Sequence, residues 1–129
     1  MSAFEIDHFV LTVADVERSV KFYRDRLGLP IEQFEDGRTA IRLSTHQKIN
    51  LQIKAHPHLP IAAHPTFGSS DFCLMTDKTP NALVTWAEQQ HLIIETGPVV
   101  RHGAKGTMTS LYVRDPDQNL VELAAVGML

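Results

Sequence analysis

The sequence predicts an α+β fold built from two tandem βαβββ modules in a single domain. Three observations predict it. The order strand, helix, strand, strand, strand occurs twice along the 129 residues. A capping residue stands before each of the two helices. Polar residues recur at matching strand positions in both copies, as an internal duplication requires.

The first copy covers about residues 4–54. Phe4 to Val13 (FEIDHFVLTV) is rich in β-branched and aromatic residues and reads as a strand. Asp15 caps a helix running to Leu27, whose apolar positions Val16, Val20, Tyr23 and Leu27 recur at helical spacing. Gly28 ends it, and Pro30 blocks its continuation. Ile31 to Glu35 and Thr39 to Leu43 read as a hairpin across Asp36-Gly37, a pair that suits a tight turn with both central residues at positive φ. Lys48 to Lys54 (KINLQIK) alternates polar and apolar and closes the copy with a strand. Residues 55–69 hold three prolines and no periodicity, and read as an ordered connector.

The second copy covers about residues 70–127. Asp71 to Thr76 (DFCLMT) reads as a strand. Thr79-Pro80 supplies an N-cap followed by proline at the first helical position. Leu83, Val84, Trp86, Ala87 and Leu92 give the helix its apolar side. Ile93 to Thr96 reads as a short strand and Gly97 to Gly106 (GPVVRHGAKG) as a loop. Thr107 to Arg114 and Asn119 to Val126 read as strands joined by Asp115-Pro116-Asp117-Gln118.

Composition narrows the function. A hydrophobic fraction of 43% and a charged fraction of 21% are ordinary for a globular chain able to bury a core. The net charge of −3 offers no attraction to nucleic acid or to an anionic membrane. One cysteine, Cys73, leaves no intramolecular disulfide and no multi-cysteine metal site. No apolar run approaches the ~18 residues of a membrane span. The opening residues lack the basic-then-apolar pattern of a signal peptide, so a cytoplasmic location is expected.

Side chains alternate along a strand. Phe9, Leu11 and Val13 share one face with the helix side of the core, as do Ile49, Leu51 and Ile53. The opposite faces carry His8 with Val10, Gln52, Asp71 with Cys73 and Met75, and Glu122 with Leu120, Ala124 and Tyr112. Aligning HFVLTV with DFCLMT sets His8 against Asp71, and aligning NLQI with LVEL sets Gln52 against Glu122. A solvated sheet face is the plain alternative. An apolar lining with a few convergent polar groups is instead what a small-molecule cavity has.

The opening IDHFVLTVADVERSVKFYRDRLGL resembles the first module of the vicinal oxygen chelate family, the glyoxalase and bleomycin-resistance fold. The closing SLYVRDPDQNLVEL resembles that family's final hairpin, and GPVVRHGAKG resembles the corresponding loop of its glyoxalase-domain subgroup. The resemblance implies that the two modules form a half-barrel cup around one divalent metal ion (Ni, Zn, Mn or Mg), often in a homodimer. It implies the ligands His8, Gln52, Asp71 and Glu122, where Gln52 and Asp71 replace the more usual glutamate and histidine. One imidazole with oxygen donors suits such an ion. The implied activity is a lyase or isomerase of the lactoylglutathione lyase type, in which Glu122 moves a proton alpha to a carbonyl of a small carbonyl or thiol-adduct substrate. Two other family activities stay open: a ring-cleaving dioxygenase and a non-catalytic drug-binding resistance protein.

Each residue also has a plainer reading. His8 reads alternatively as a core histidine bonded to a neighbour, and Gln52 and Asp71 as hydrogen-bonding groups. Arg101, His102 and Lys105 lie in the glycine-bounded loop, where Arg101 and Lys105, with Tyr112, are expected to contact an anionic substrate group. A solvated loop is the alternative. His56, His58 and His64 on the connector lack a clear fourth ligand for zinc. Cys73 reads as a packing thiol.

Overall fold

Each half of the chain folds around its own four-stranded mixed sheet. In the computed structural model, which describes residues 3–129, the chain divides into two units between Phe67 and Gly68. The α+β class and the duplicated module order are both present.

The first unit runs β1 (His8–Val13), α1 (Val16–Val20), β2 (Ile31–Gln33), β3 (Thr39–Arg42) and β4 (Lys48–Ile53). Its strands lie in the order β1-β4-β3-β2, with β1 parallel to β4 and the other pairs antiparallel. Asp15 caps α1 by accepting from the Arg18 N–H at 3.2 Å. The helix then continues through Lys21–Arg26 in π-helical form and ends at Leu27 before Gly28, which has φ 76°. Leu11, Val13, Tyr23, Ile41 and Ile49 are among the fully buried side chains of this unit. β1 begins later than the alternation suggests, because ladder pairing starts where His8 faces Lys48. The Asp36-Gly37 turn also departs from expectation. Only Gly37 has positive φ, and the Phe34 N–H bonds to the Arg38 carbonyl. The loop is therefore three residues long, a type I turn closed by glycine in place of a two-residue primed turn.

The second unit runs β5 (Asp71–Met75), α2 (Pro80–Gln89), β6 (Thr96–Gly103), β7 (Gly106–Arg114) and β8 (Leu120–Val126), in the sheet order β5-β8-β7-β6. Thr79 caps α2 by accepting from the Ala82 N–H at 3.1 Å. The helix packs on β7 and β8 and buries Leu83 and Ala87. One expectation is corrected here. Residues 97–103 are strand, not loop, and the short strand expected at 93–96 reduces to Thr96. Pro98 and the glycines hide this strand in the sequence, yet β6 is an edge strand, where proline is tolerated. The ladder takes up Pro98 in a register shift between Thr96 and Val99. Gly97 has φ 116°, and a Cβ there would stand 2.5 Å from the Ser110 carbonyl oxygen, so glycine is required for this approach.

A buried polar clamp joins the ends of three strands. Asp115 Oδ1 accepts from the backbone N–H groups of Asp117 and Asn119, both at 2.9 Å. Its Oδ2 accepts from Asn119 Nδ2 at 2.9 Å, and Asn119 Oδ1 accepts from the Ser70 N–H at 2.9 Å. Asp115 and Asn119 are 2% and 1% exposed, so removal of the carboxylate strands several buried donors. Asp115→Ala is expected to lower unfolding free energy by about 2–4 kcal/mol, measured by chemical denaturation. A loss below about 0.5 kcal/mol would show that the clamp is dispensable.

Candidate functional site

The second unit gathers most of the chemistry on the sheet face away from α2. Pairing of β7 with β8 sets Tyr112 opposite Glu122, and pairing of β5 with β8 sets Cys73 opposite it. Asp71 faces Leu120, one step along the same face. The fully buried Ser110 donates its hydroxyl to Glu122 Oε2 at 2.6 Å. That bond fixes one carboxylate oxygen and leaves Oε1 for a ligand. Met108 and Ala124 are buried on this face, whereas Met75 is left 46% exposed. Ser110 was not singled out from the sequence, although its strand parity with Tyr112 was available there.

Arg101 lies on β6 opposite Met108. Its side chain runs to Tyr112, where Nε donates to the phenol oxygen at 3.0 Å and the guanidinium carbon sits 5.5 Å from the ring centroid. Lys105 is not brought to this group. It lies in the turn between β6 and β7, seven positions from Tyr112, roughly 20 Å along the strand. His102 is exposed near the same turn.

The first unit divides its two candidates. His8 opens β1 and donates its Nδ1–H to Asp7 Oδ2 at 2.7 Å, which leaves Nε2 for another partner. That hydrogen bond, with the Lys48 and Arg42 charges, holds the Asp7 carboxyl below its usual range. Gln52 faces Thr12, four positions further along the ladder and roughly 13 Å from His8's level. Its Oε1 accepts from the His58 N–H at 3.2 Å. The registers also correct the alignment of the two copies. With His8 matched to Asp71, the facing residues are Lys48 and Leu120, and the next same-face positions are Asn50 and Glu122. Asn50, not Gln52, is thus the counterpart of Glu122. The longer second copy hid this from a comparison of NLQI with LVEL.

Gln52 instead lines a cleft of about 200 Å³ with Asp36, Arg38, Thr39, His56 and His58. Arg38 and Asp36 pair there at 2.7 Å. Two of the three connector histidines therefore face a cleft and do not form a zinc cluster. Among the described residues, no group of three or more His, Cys, Asp and Glu side chains stands where it could hold a metal ion.

In kind, His8, Asp71 and Glu122 fit a divalent ion. His8 has the ring-orienting carboxylate that metal-bound histidines usually have, and Glu122 has one oxygen fixed and the other open. Gln52 does not fit, because its level on the sheet and its bond to His58 take it away from His8.

Two four-stranded mixed sheets, each built by one βαβββ repeat and each carrying acidic, amide or imidazole groups on one face, define a duplicated α+β module. The chain belongs to the Glyoxalase/Bleomycin resistance protein/Dioxygenase superfamily, whose profile matches residues 5–123. It is 41% identical over 119 residues to the virulence protein STM3117 of Salmonella typhimurium, covering 92% of this chain and 82% of that protein. The crystal structure of that protein superimposes with a TM-score of 0.89, covering 97% of this chain and 98% of the other. A glyoxalase domain-containing protein, RDO1 of Mycosarcoma maydis, is 38% identical over 97% of this chain and 70% of its own length. The lactoylglutathione lyase of Agrobacterium tumefaciens shares the fold, with a TM-score of 0.70 at 22% identity over 98% of this chain and 96% of that one.

Cys73 reports directly on Glu122. Although the thiol reaches solvent, desolvation first and then the facing Glu122 carboxylate push it up to about 11. A raised thiol value keeps the neutral form through neutral pH, so reactivity grows only as pH climbs. Alkylation by iodoacetamide is expected to rise about tenfold per pH unit to about pH 11, and Glu122→Gln should shift that profile to lower pH. A midpoint near the ordinary value of about 8.5 would contradict the burial of this thiol beside Glu122.

Proposed function

We propose that the protein is a divalent-metal-dependent lyase or isomerase of the glyoxalase type, acting on a small carbonyl or thiol-adduct substrate as a lactoylglutathione lyase does. The observation that carries the reading is the Glu122 carboxylate, with Oε2 held by the buried Ser110 hydroxyl and Oε1 left open on a partly apolar face. Asp71 and Glu122 are the candidate ligands of the second unit, and His8 is the candidate imidazole of the first. A homodimer and a small-molecule substrate belong to the same proposal. The donor set holds a single imidazole. That favours the lyase over a ring-cleaving dioxygenase, whose Fe(II) site takes two histidines and one carboxylate.

When bound, the ion supplies Lewis-acid stabilisation of an oxyanion developing on the substrate. The chain's own residues do the rest. Glu122 Oε1 takes a proton from the carbon alpha to the carbonyl and returns it to the neighbouring carbon. Ser110 keeps the carboxylate from rotating while it does so. Arg101 and Tyr112 are the substrate-side residues of this reading.

Elemental analysis of the full chain purified without chelator is expected to find about one transition ion per site. His8→Ala and Glu122→Ala should each abolish uptake, while Gln52→Ala leaves it intact. Glu122→Gln should cut turnover, followed by proton exchange alpha to the carbonyl on a panel of hemithioacetals and small carbonyl compounds, by about 10²–10⁴-fold. Unchanged metal content in both His8→Ala and Glu122→Ala would reject the ligand set, and full turnover in Glu122→Gln would reject the proton-transfer role.

A further inference from the structure

The β6–β7 hairpin carries a guanidinium that no acid neutralises. Arg101 Nε is committed to the Tyr112 phenol at 3.0 Å, and Nη1 to the Val100 carbonyl at 3.1 Å. Among the described residues it makes no ion pair, unlike Arg24, Arg38, Arg42 and Arg114, each of which pairs with a carboxylate. The two committed hydrogen bonds restrain the side chain over the Tyr112 ring, so little rotamer freedom remains to be lost on binding. Nη2 and the second hydrogen of Nη1 remain as donors. Tyr112 is in turn the direct cross-strand partner of Glu122. A free, oriented cation therefore stands on the side chain of the residue that directly faces Glu122.

We infer that the substrate is itself a small carboxylate, whose anionic end docks on Arg101 while the carbon next to its carbonyl faces Glu122. This rests on the reading of that face given above and narrows its substrate class. Three features favour a compact acid over a long adduct. Arg101 is drawn in toward Tyr112 by its own hydrogen bonds. Tyr112 faces Glu122 directly across the ladder, at about 4.5–5.5 Å between Cα atoms. The guanidinium edge matches a planar two-oxygen acceptor, which a carboxylate presents and a neutral carbonyl compound does not. Tyr112 acts as a positioning residue, since its phenol oxygen holds the Arg101 Nε.

The test is titration of the full-length protein with pyruvate, methyl pyruvate and inorganic phosphate, followed by ligand-observed NMR, with and without EDTA. Pyruvate is expected to bind saturably in both conditions, and methyl pyruvate, which lacks only the charge, not to bind. Arg101→Gln should weaken pyruvate about tenfold or more, and Arg101→Lys should recover part of that loss. Tyr112→Phe should weaken it about threefold while leaving the thermal midpoint in place. Absence of saturable pyruvate binding overturns the inference, as does equal binding of the methyl ester or wild-type affinity in Arg101→Gln. Phosphate binding as tight as pyruvate assigns the cation to phosphate esters and overturns the carboxylate. Arg101-dependent binding that persists where His8→Ala and Glu122→Ala leave metal content unchanged upholds the inference while the metal assignment fails.

Discussion

The buried Asp115 carboxylate organises the second unit. Its oxygens accept from the backbone of the Asp115–Asn119 turn and from the Asn119 amide, which itself accepts from Ser70 just before β5. One side chain thereby ties β7 to β8 and sets where β5 begins. A slip of one residue in either pairing would turn Glu122 toward the helix side. The placement of Glu122 between Tyr112 and Cys73 depends on this clamp more than on any bond the glutamate makes for itself.

With the register fixed, the two sheet faces take on different chemistry. The helix side is a hydrocarbon core: Leu111, Val113, Val121 and Leu123 are at most 2% exposed. The other side mixes buried small groups, such as Ser110 and Ala124, with partly open Glu122 and Tyr112 and the exposed Asp71 and Arg101. A solvated face would have no reason to bury a serine hydroxyl against a carboxylate. The Ser110–Glu122 bond orients one oxygen and leaves the other free, which is what a group that must accept a proton or a cation needs.

The duplication was legible because both copies repeat the same local physics. Asp15 and Thr79 cap helices after a strand, and Leu11, Ile49, Val121 and Leu123 mark core faces by period-two alternation. Two things were not legible. Residues 97–103 looked like a loop because Pro98 and two glycines are poor strand formers, yet an edge strand needs only one side of its ladder. The match of Gln52 to Glu122 failed for a different reason. Alternation states which face a residue is on but not how far along the neighbouring strand it lies, and Asn50 and Gln52 share a face.

The sequence by itself determined the module order, the helix caps, the core faces, and that His8, Asp71 and Glu122 stand on the faces opposite the helices. These follow from contacts between near neighbours in the chain, where side-chain periodicity and capping chemistry act. Only the tertiary structure decided the side-chain partners: Ser110 on Glu122 and Arg101 on Tyr112 across strands, Asp7 on His8's ring, and the His58 N–H on Gln52. The two cross-strand pairings are set by ladder register, which hydrogen bonds between strands fix and which no local pattern encodes.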